Sequence, residues 1–131
     1  MRVNKRVLLV LLGLNVLLSA CSVEAPKLIN THLYKGDVTQ AERFIEAQIK
    51  RCWLNNADFD AVLEKTTNSE RREASFRLSR VASEAAFLIL NLAGNTASTA
   101  MVEVNEGDYS TFKRLGLAED VERWVLMDYS C

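Results

Sequence analysis

The sequence predicts an α+β domain, a small antiparallel three-stranded meander flanked by an N-terminal helix and C-terminal helices. Two observations carry that expectation. Apolar residues recur at helical spacing in two separate stretches, around Phe44 and around Val121. Between them lie three short strand-like stretches, with a Gly-Asn turn signal between the second and the third.

Thr39-Gln40-Ala41-Glu42 has the spacing of a capping box, in which Thr39 and Glu42 would each satisfy a free backbone donor. Behind it Ala41, Phe44, Ile45, Ile49 and Cys52 share one face, which predicts a helix of about 14 residues. Asn55-Asn56 ends it. Phe59, Val62 and Leu63 then sit at i, i+3 and i+4 and suggest a short second helix, with a strand through 61–67 as the alternative. Residues 66–73, including Arg71-Arg72, read as a solvated polar loop.

In 75–81, Phe76 and Leu78 alternate with Arg77 and Ser79. Residues 85–92 are the most apolar stretch after the N-terminal segment and read as the central strand, buried on both faces. A helix over 80–92 is the alternative, because alanine and leucine favour it. Gly94-Asn95 signals a turn, and 97–104 returns with Ala100, Val102 and Val104 on one side. Asp108 can cap a short helix through Leu115 that ends at Gly116. Leu117, Val121, Trp124 and Val125 line a last helix, with Glu119, Asp120, Glu122 and Arg123 outward.

The first 21 residues have a different grammar. Arg2, Lys5 and Arg6 form a basic flank, residues 7–18 are nearly unbroken apolar, and small residues precede a cysteine. The run of about 12 is short of the roughly 20 that span hydrocarbon. Leu18-Ser19-Ala20-Cys21 resembles the lipobox of bacterial lipoproteins. The resemblance implies cleavage before Cys21, acylation of that cysteine with palmitate-type chains, and anchoring to a membrane. An ordinary secretory signal that happens to end at a cysteine is the alternative. By similarity to Gram-negative envelope lipoproteins, Ser22 in place of aspartate favours the outer membrane, with the domain facing the periplasm. The expected organisation is then a cleaved signal peptide (1–20), a lipidated tether (21–38) and one globular domain (39–131).

Acylation would commit Cys21 and leave Cys52 and Cys131 as a pair. In an oxidising periplasm such a pair joins, tying the two ends of the domain together. Two independent buried thiols are the alternative. Removing residues 1–20 takes away three of the 16 Lys+Arg and none of the 17 Asp+Glu, which leaves a formal charge of −4. Neither that charge nor any basic cluster favours nucleic acid as a partner.

The residues for catalysis are sparse. The single histidine, His32, falls in the expected tether, so neither a zinc site nor a nucleophile–base pair assembles around it. No phosphate-cradling glycine loop stands in the chain. The carboxylate pairs Asp58/Asp60 and Glu119/Asp120 read as solvent faces. The expectation is therefore a non-enzymatic protein without a cofactor. Trp53 and Trp124 have two readings, as core beside the disulfide or as surface anchors for a partner, with Tyr129, Tyr109 and Phe112 bordering the patch. Function is expected to be that of a structural or interaction module in a bacterial envelope assembly, with an envelope protein as partner. The alternative is a binding module that inhibits a lytic enzyme or toxin, or one that carries a small amphiphile in a groove lined by Phe76, Phe87 and Ile89.

Overall fold

A computed structural model describes residues 27–55, 61–81, 86–107 and 116–131. The elements run β1 (Lys27–Lys35), α1 (Val38–Gln48), β2 (Ala61–Asn68), β3 (Glu73–Arg80), β4 (Ala86–Thr96), β5 (Thr99–Glu106) and α2 (Leu117–Val125). The strands form one sheet in the order β1-β5-β4-β3-β2, and every neighbouring pair is antiparallel. Cys21, Asp58, Phe59, Asp60, Tyr109, Phe112 and the short helix expected from Asp108 lie outside the described residues.

The three-stranded meander is corrected to a five-stranded sheet. Residues 27–35, expected to be tether, form β1 and pair with β5 from Lys27↔Glu106 to Lys35↔Thr99. The helix expected around Val62 and Leu63 is β2, paired with β3 from Ala61↔Arg80 to Asn68↔Glu73. Because each neighbour is antiparallel, β1 and β2 run parallel to one another at opposite edges, and α1 carries the chain from one edge to the other.

The edge position explains both misreadings. In β1, Asn30, His32 and Tyr34 share the face of Val104, Val102 and Ala100, while Leu33 lies on the opposite face beside Met101. An edge strand buries little, so its apolar alternation is weak or inverted. In β2, Leu63 points inward but so does Lys65, which reaches Glu42 and Glu46 on α1. An inward charge on an edge strand also discourages pairing with another chain.

The central strand sits where it is expected, but only its inner face is buried throughout. Leu88, Leu90 and Leu92 are buried, whereas Asn91 on the opposite face is exposed. The helix alternative for this stretch loses to the ladders with β3 and β5 on either side. The turn after β4 falls at Ala97-Ser98, a few residues beyond Gly94-Asn95. Gly94 serves another purpose, since a Cβ there would come within 2.7 Å of the Arg72 guanidinium. Arg72 lies across it and donates to the Thr96 carbonyl at 2.8 Å, clasping the β2–β3 turn to the end of β4.

Helix α1 starts one residue before the expected cap. Asp37, not Thr39, is the N-cap. Its carboxylate accepts from the Gln40 N–H at 2.8 Å, and the Gln40 amide oxygen accepts from the Asp37 N–H at 2.9 Å. At its other end α1 widens into a π-helical segment, Ile49–Leu54, in which the Asn55 N–H bonds to the Lys50 carbonyl. Helix α2 starts after Gly116, whose φ of 63° suits glycine, and places Glu119 and Asp120 at its positive N-terminal dipole.

Both helices cover the same face of the sheet. Ala41, Ile45, Ile49 and Trp53 on one side and Leu117, Val121 and Trp124 on the other meet Phe76, Leu78, Leu88, Leu90, Val102 and Val104 in a single core. The α1 helix lies over β3, β4 and β5, and α2 lies over β1. Among the described residues no helix covers the second face, on which Ser79 and Asn105 are nonetheless buried.

The edge strand β2 is fastened to α1 by a small charge network. Lys65 donates to Glu46 at 2.9 Å, Lys50 reaches the other Glu46 oxygen at 2.9 Å, and the Thr67 hydroxyl donates to Glu42. Hydrogen bonds from Lys65 and then Lys50 hold the Glu46 carboxyl below the ordinary carboxylate range, against a smaller opposing effect of burial. Since folding lowers this pKa, the stabilisation is complete above the unfolded value of about 4.3 and is lost as pH falls through the lower folded value. Glu46→Gln should therefore melt below the wild type at about pH 6, by no more than about 5 °C, and the two should converge near about pH 3 in thermal melts.

Candidate functional site

Three places among the described residues gather functional side chains, the first being the corner where the two helices and the C-terminal tail meet. The π-helical segment presents Cys52 and Trp53 to this corner. The Cys52–Cys131 disulfide is present, with Cα atoms 5.3 Å apart and 79 residues between the two in sequence. Trp53 and Trp124 pack with ring centroids 4.7 Å apart and are buried, 3% and 0% exposed. Of the two readings given to these tryptophans, their burial agrees with core beside the disulfide and not with a surface anchor. Tyr129 differs, since it is 55% exposed and meets Phe44 in a T-shaped contact with ring centroids 5.4 Å apart.

Polar contacts hold the tail down. The Arg51 guanidinium donates to Gln48 Oε1 and to the Tyr129 carbonyl. Arg123 donates to Asp120 and to the Cys131 carbonyl. Hydrogen bonds from Ser130, and then the charge of Arg123, hold the Asp128 carboxyl below its usual range. Burial, then Tyr129 and Asp37, push the Tyr34 hydroxyl up. These contacts make the corner a fastening, although Gln48 Nε2, Arg123 Nε and Trp124 Nε1 are buried there without a hydrogen-bond partner.

The second place is a concavity of about 400 Å³ on the open face of the sheet. The alternation of β2 to β5 that buries Phe76, Leu90 and Val104 sends Thr66, Asn68, Glu73, Ser75, Asn91 and Glu103 outward to line it. The Ser75 hydroxyl donates to Asn91 Oδ1 at 3.0 Å. Hydroxyl, amide and carboxylate groups in a row can bind a polar ligand. They hold no general base of the imidazole type, because His32 faces the opposite side of the sheet. The period-2 pattern of 75–81 already showed a polar face, but not that three further strands would extend it.

The third is a cavity of about 370 Å³ beside the start of α1, lined by Asp37, Thr39, Glu42, Asn68, Arg72 and neighbours. Three of its polar groups are committed elsewhere. Asp37 caps the helix, Glu42 accepts from Thr67, and Arg72 bonds to Thr96. Among the described residues, no three histidine, cysteine or carboxylate side chains are grouped as metal ligands. His32 is half-buried in β1, and its Nε2 makes no hydrogen bond there. The groove expected from Phe76, Phe87 and Ile89 does not form, since Phe76 and Phe87 are in the core and Ile89 lies on the other face with Arg77.

Two outcomes follow for the closed corner. Trp53 Nε1–H donates to Asp120 Oδ2 at 2.8 Å, so Asp120→Ala removes the acceptor of a buried donor and a partner of Arg123. It should destabilise the domain by about 1–3 kcal/mol in urea titrations followed by tryptophan fluorescence. Cys131→Ser opens a loop whose closure contributes about 4 kcal/mol by chain entropy, and the denaturation midpoint should fall accordingly. An unchanged midpoint would mean that the tail contacts alone hold the corner. Compared with protein-family models, curated proteins and solved structures, the chain matches none.

Proposed function

We propose that the chain is a membrane-anchored envelope lipoprotein whose folded domain serves as an interaction module in a bacterial envelope assembly. The observation that carries this reading is Leu18-Ser19-Ala20-Cys21 after a basic flank and a short apolar run. The disulfide supports it, because such bonds persist in oxidising compartments beyond the cytoplasm. So does the position of β1, which begins only six residues after Cys21 and ties the fold closely to the anchor. No described helix is long and apolar enough to cross a membrane, so attachment in this reading rests on the acyl chains. Two or three chains suffice for stable anchoring at about 0.8 kcal/mol per buried methylene. Within this reading the surfaces offered to a partner are the open sheet face and the turns at the far end from Lys27.

The reading is tested by growing cells that express the full chain with radiolabelled palmitate. The wild type should incorporate label and sediment with membranes, while Cys21→Ala should do neither. Label retained by Cys21→Ala, or none in the wild type, would sink it.

A further inference from the structure

The two edges of the sheet are guarded unequally. An edge strand presents a row of backbone N–H and C=O groups that can pair with another chain, and charges within it discourage such pairing. The β2 edge carries Glu64 and Lys65 side by side near its centre. Glu64 lies 3.5 Å from Arg77, and Lys65 reaches inward to Glu42 and Glu46, so a strand laid along β2 would meet fixed charges. The β1 edge has no carboxylate, lysine, arginine, proline or glycine from Leu28 to Tyr34. A bulge interrupts its pairing with β5 between Leu28 and Asn30, after which the ladder is regular as far as Lys35. Asn30, Thr31 and Leu33 are exposed, and among the described residues β5 is the one strand that pairs with β1.

The residues along and beside this edge say what it would take. Ala93, Met101 and Leu33 stand in one cross-strand row from β4 through β5 to β1, and the row stops at Leu33, which is 59% exposed. A strand added beside β1 would set an apolar side chain next to Leu33 and continue that row. Because alternate residues of an antiparallel strand face each neighbour, β1 offers the main chain of an occupant about four residues' N–H and C=O groups. Lys27 and Lys35 stand at the two ends of the strand with no acid between them, so an occupant with acidic residues at its ends matches the edge in charge. The same lysines count against a second copy of the chain. Antiparallel self-pairing over the whole of β1 centres on Thr31 and sets Lys27 opposite Lys35 at both ends, where like charges repel.

We infer that the outer edge of β1 is a docking edge for an extended segment of a partner protein, apolar where it meets Leu33 and acidic toward Lys27 and Lys35. The segment joins the five-stranded sheet as a further edge strand. In such strand addition the main-chain hydrogen bonds hold the segment and its alternate side chains select it. This deepens the interaction-module reading and rests on it, adding an edge to the second face and the far turns as surfaces for a partner. It does not depend on the acyl anchor.

The test selects random peptides, displayed on phage and as long as the nine residues of β1, on the full chain held in detergent micelles. Selected sequences should alternate apolar and polar residues and carry aspartate or glutamate near their ends. The best of them, made synthetically, should bind about tenfold more weakly to Leu33→Asp and unchanged to Val62→Asp on the other edge. Both positions are exposed, so the fold should accept the changes. Lys35→Glu should turn the preference toward peptides with lysine at their ends, which a merely misfolded variant would not do. On binding, hydrogen exchange should slow in β1 and not in β2. Selection of no peptide, binding indifferent to Leu33→Asp, or protection away from β1 would overturn the docking edge and leave the palmitate result standing. A dimer in sedimentation that Leu33→Asp abolishes would give the edge to a second copy and overturn the partner segment. A chain without palmitate that still selects β1-dependent peptides would remove the anchor and keep the edge.

Discussion

A sheet whose apolar inner face must be covered is the constraint from which the rest of this structure follows. Five strands present an apolar inner face, and the two helices must shield it while spanning from one edge to the other. The α1 helix meets this by crossing from β1 to the far edge over the middle strands, and its π-helical extension delivers Trp53 to the first turns of α2. The contact of Trp53 with Trp124 then closes the seam between the helices, and burying two aromatic rings together contributes more than any single polar contact in the corner. The disulfide and the arginine contacts to the tail act on a seam that packing has already formed.

The elements legible in the sequence were those whose side chains repeat the pattern of a buried face. The α1 stripe, the apolar stretch of β4 and the face of α2 through Leu117, Val121 and Trp124 each bury what their spacing announces. Edge strands carry no such signal. Asn30, His32 and Tyr34 point inward from β1 while Leu28 and Leu33 stay exposed, so periodicity reads β1 as a spacer. Lys65 and Thr67 point inward from β2 because α1 offers carboxylates there, a fact of tertiary placement that no local window contains. The helix cap was displaced for a related reason. Both Asp37 and Thr39 have a glutamine or glutamate three residues on, and only where the preceding strand ends decides which of them caps.

The same limits apply to sites. The pairing of Cys52 with Cys131 was legible once Cys21 was set aside, because cysteine chemistry depends on compartment more than on fold. The fate of the tryptophans was not, since nothing in the local sequence distinguishes a core tryptophan from a surface one. The polar concavity of the open face was invisible for another reason: it is assembled from residues of four strands, and its existence depends on their lateral order.

The disulfide also divides the chain mechanically. It closes the segment from Cys52 to Cys131, which contains β2 to β5 and α2, and leaves β1 and α1 outside the loop. A domain anchored through its N-terminus and gripped at its far end would feel tension along the axis of β1. That direction loads the β1–β5 hydrogen bonds side by side instead of opening them one at a time. If they gave way, only residues 27–51 could pay out, about 85 Å of extended chain, before the covalent loop took the strain. The fold is thus built like a mooring with a stop, in which a short outer length yields first and any further load is shared between the two arms of a covalent loop.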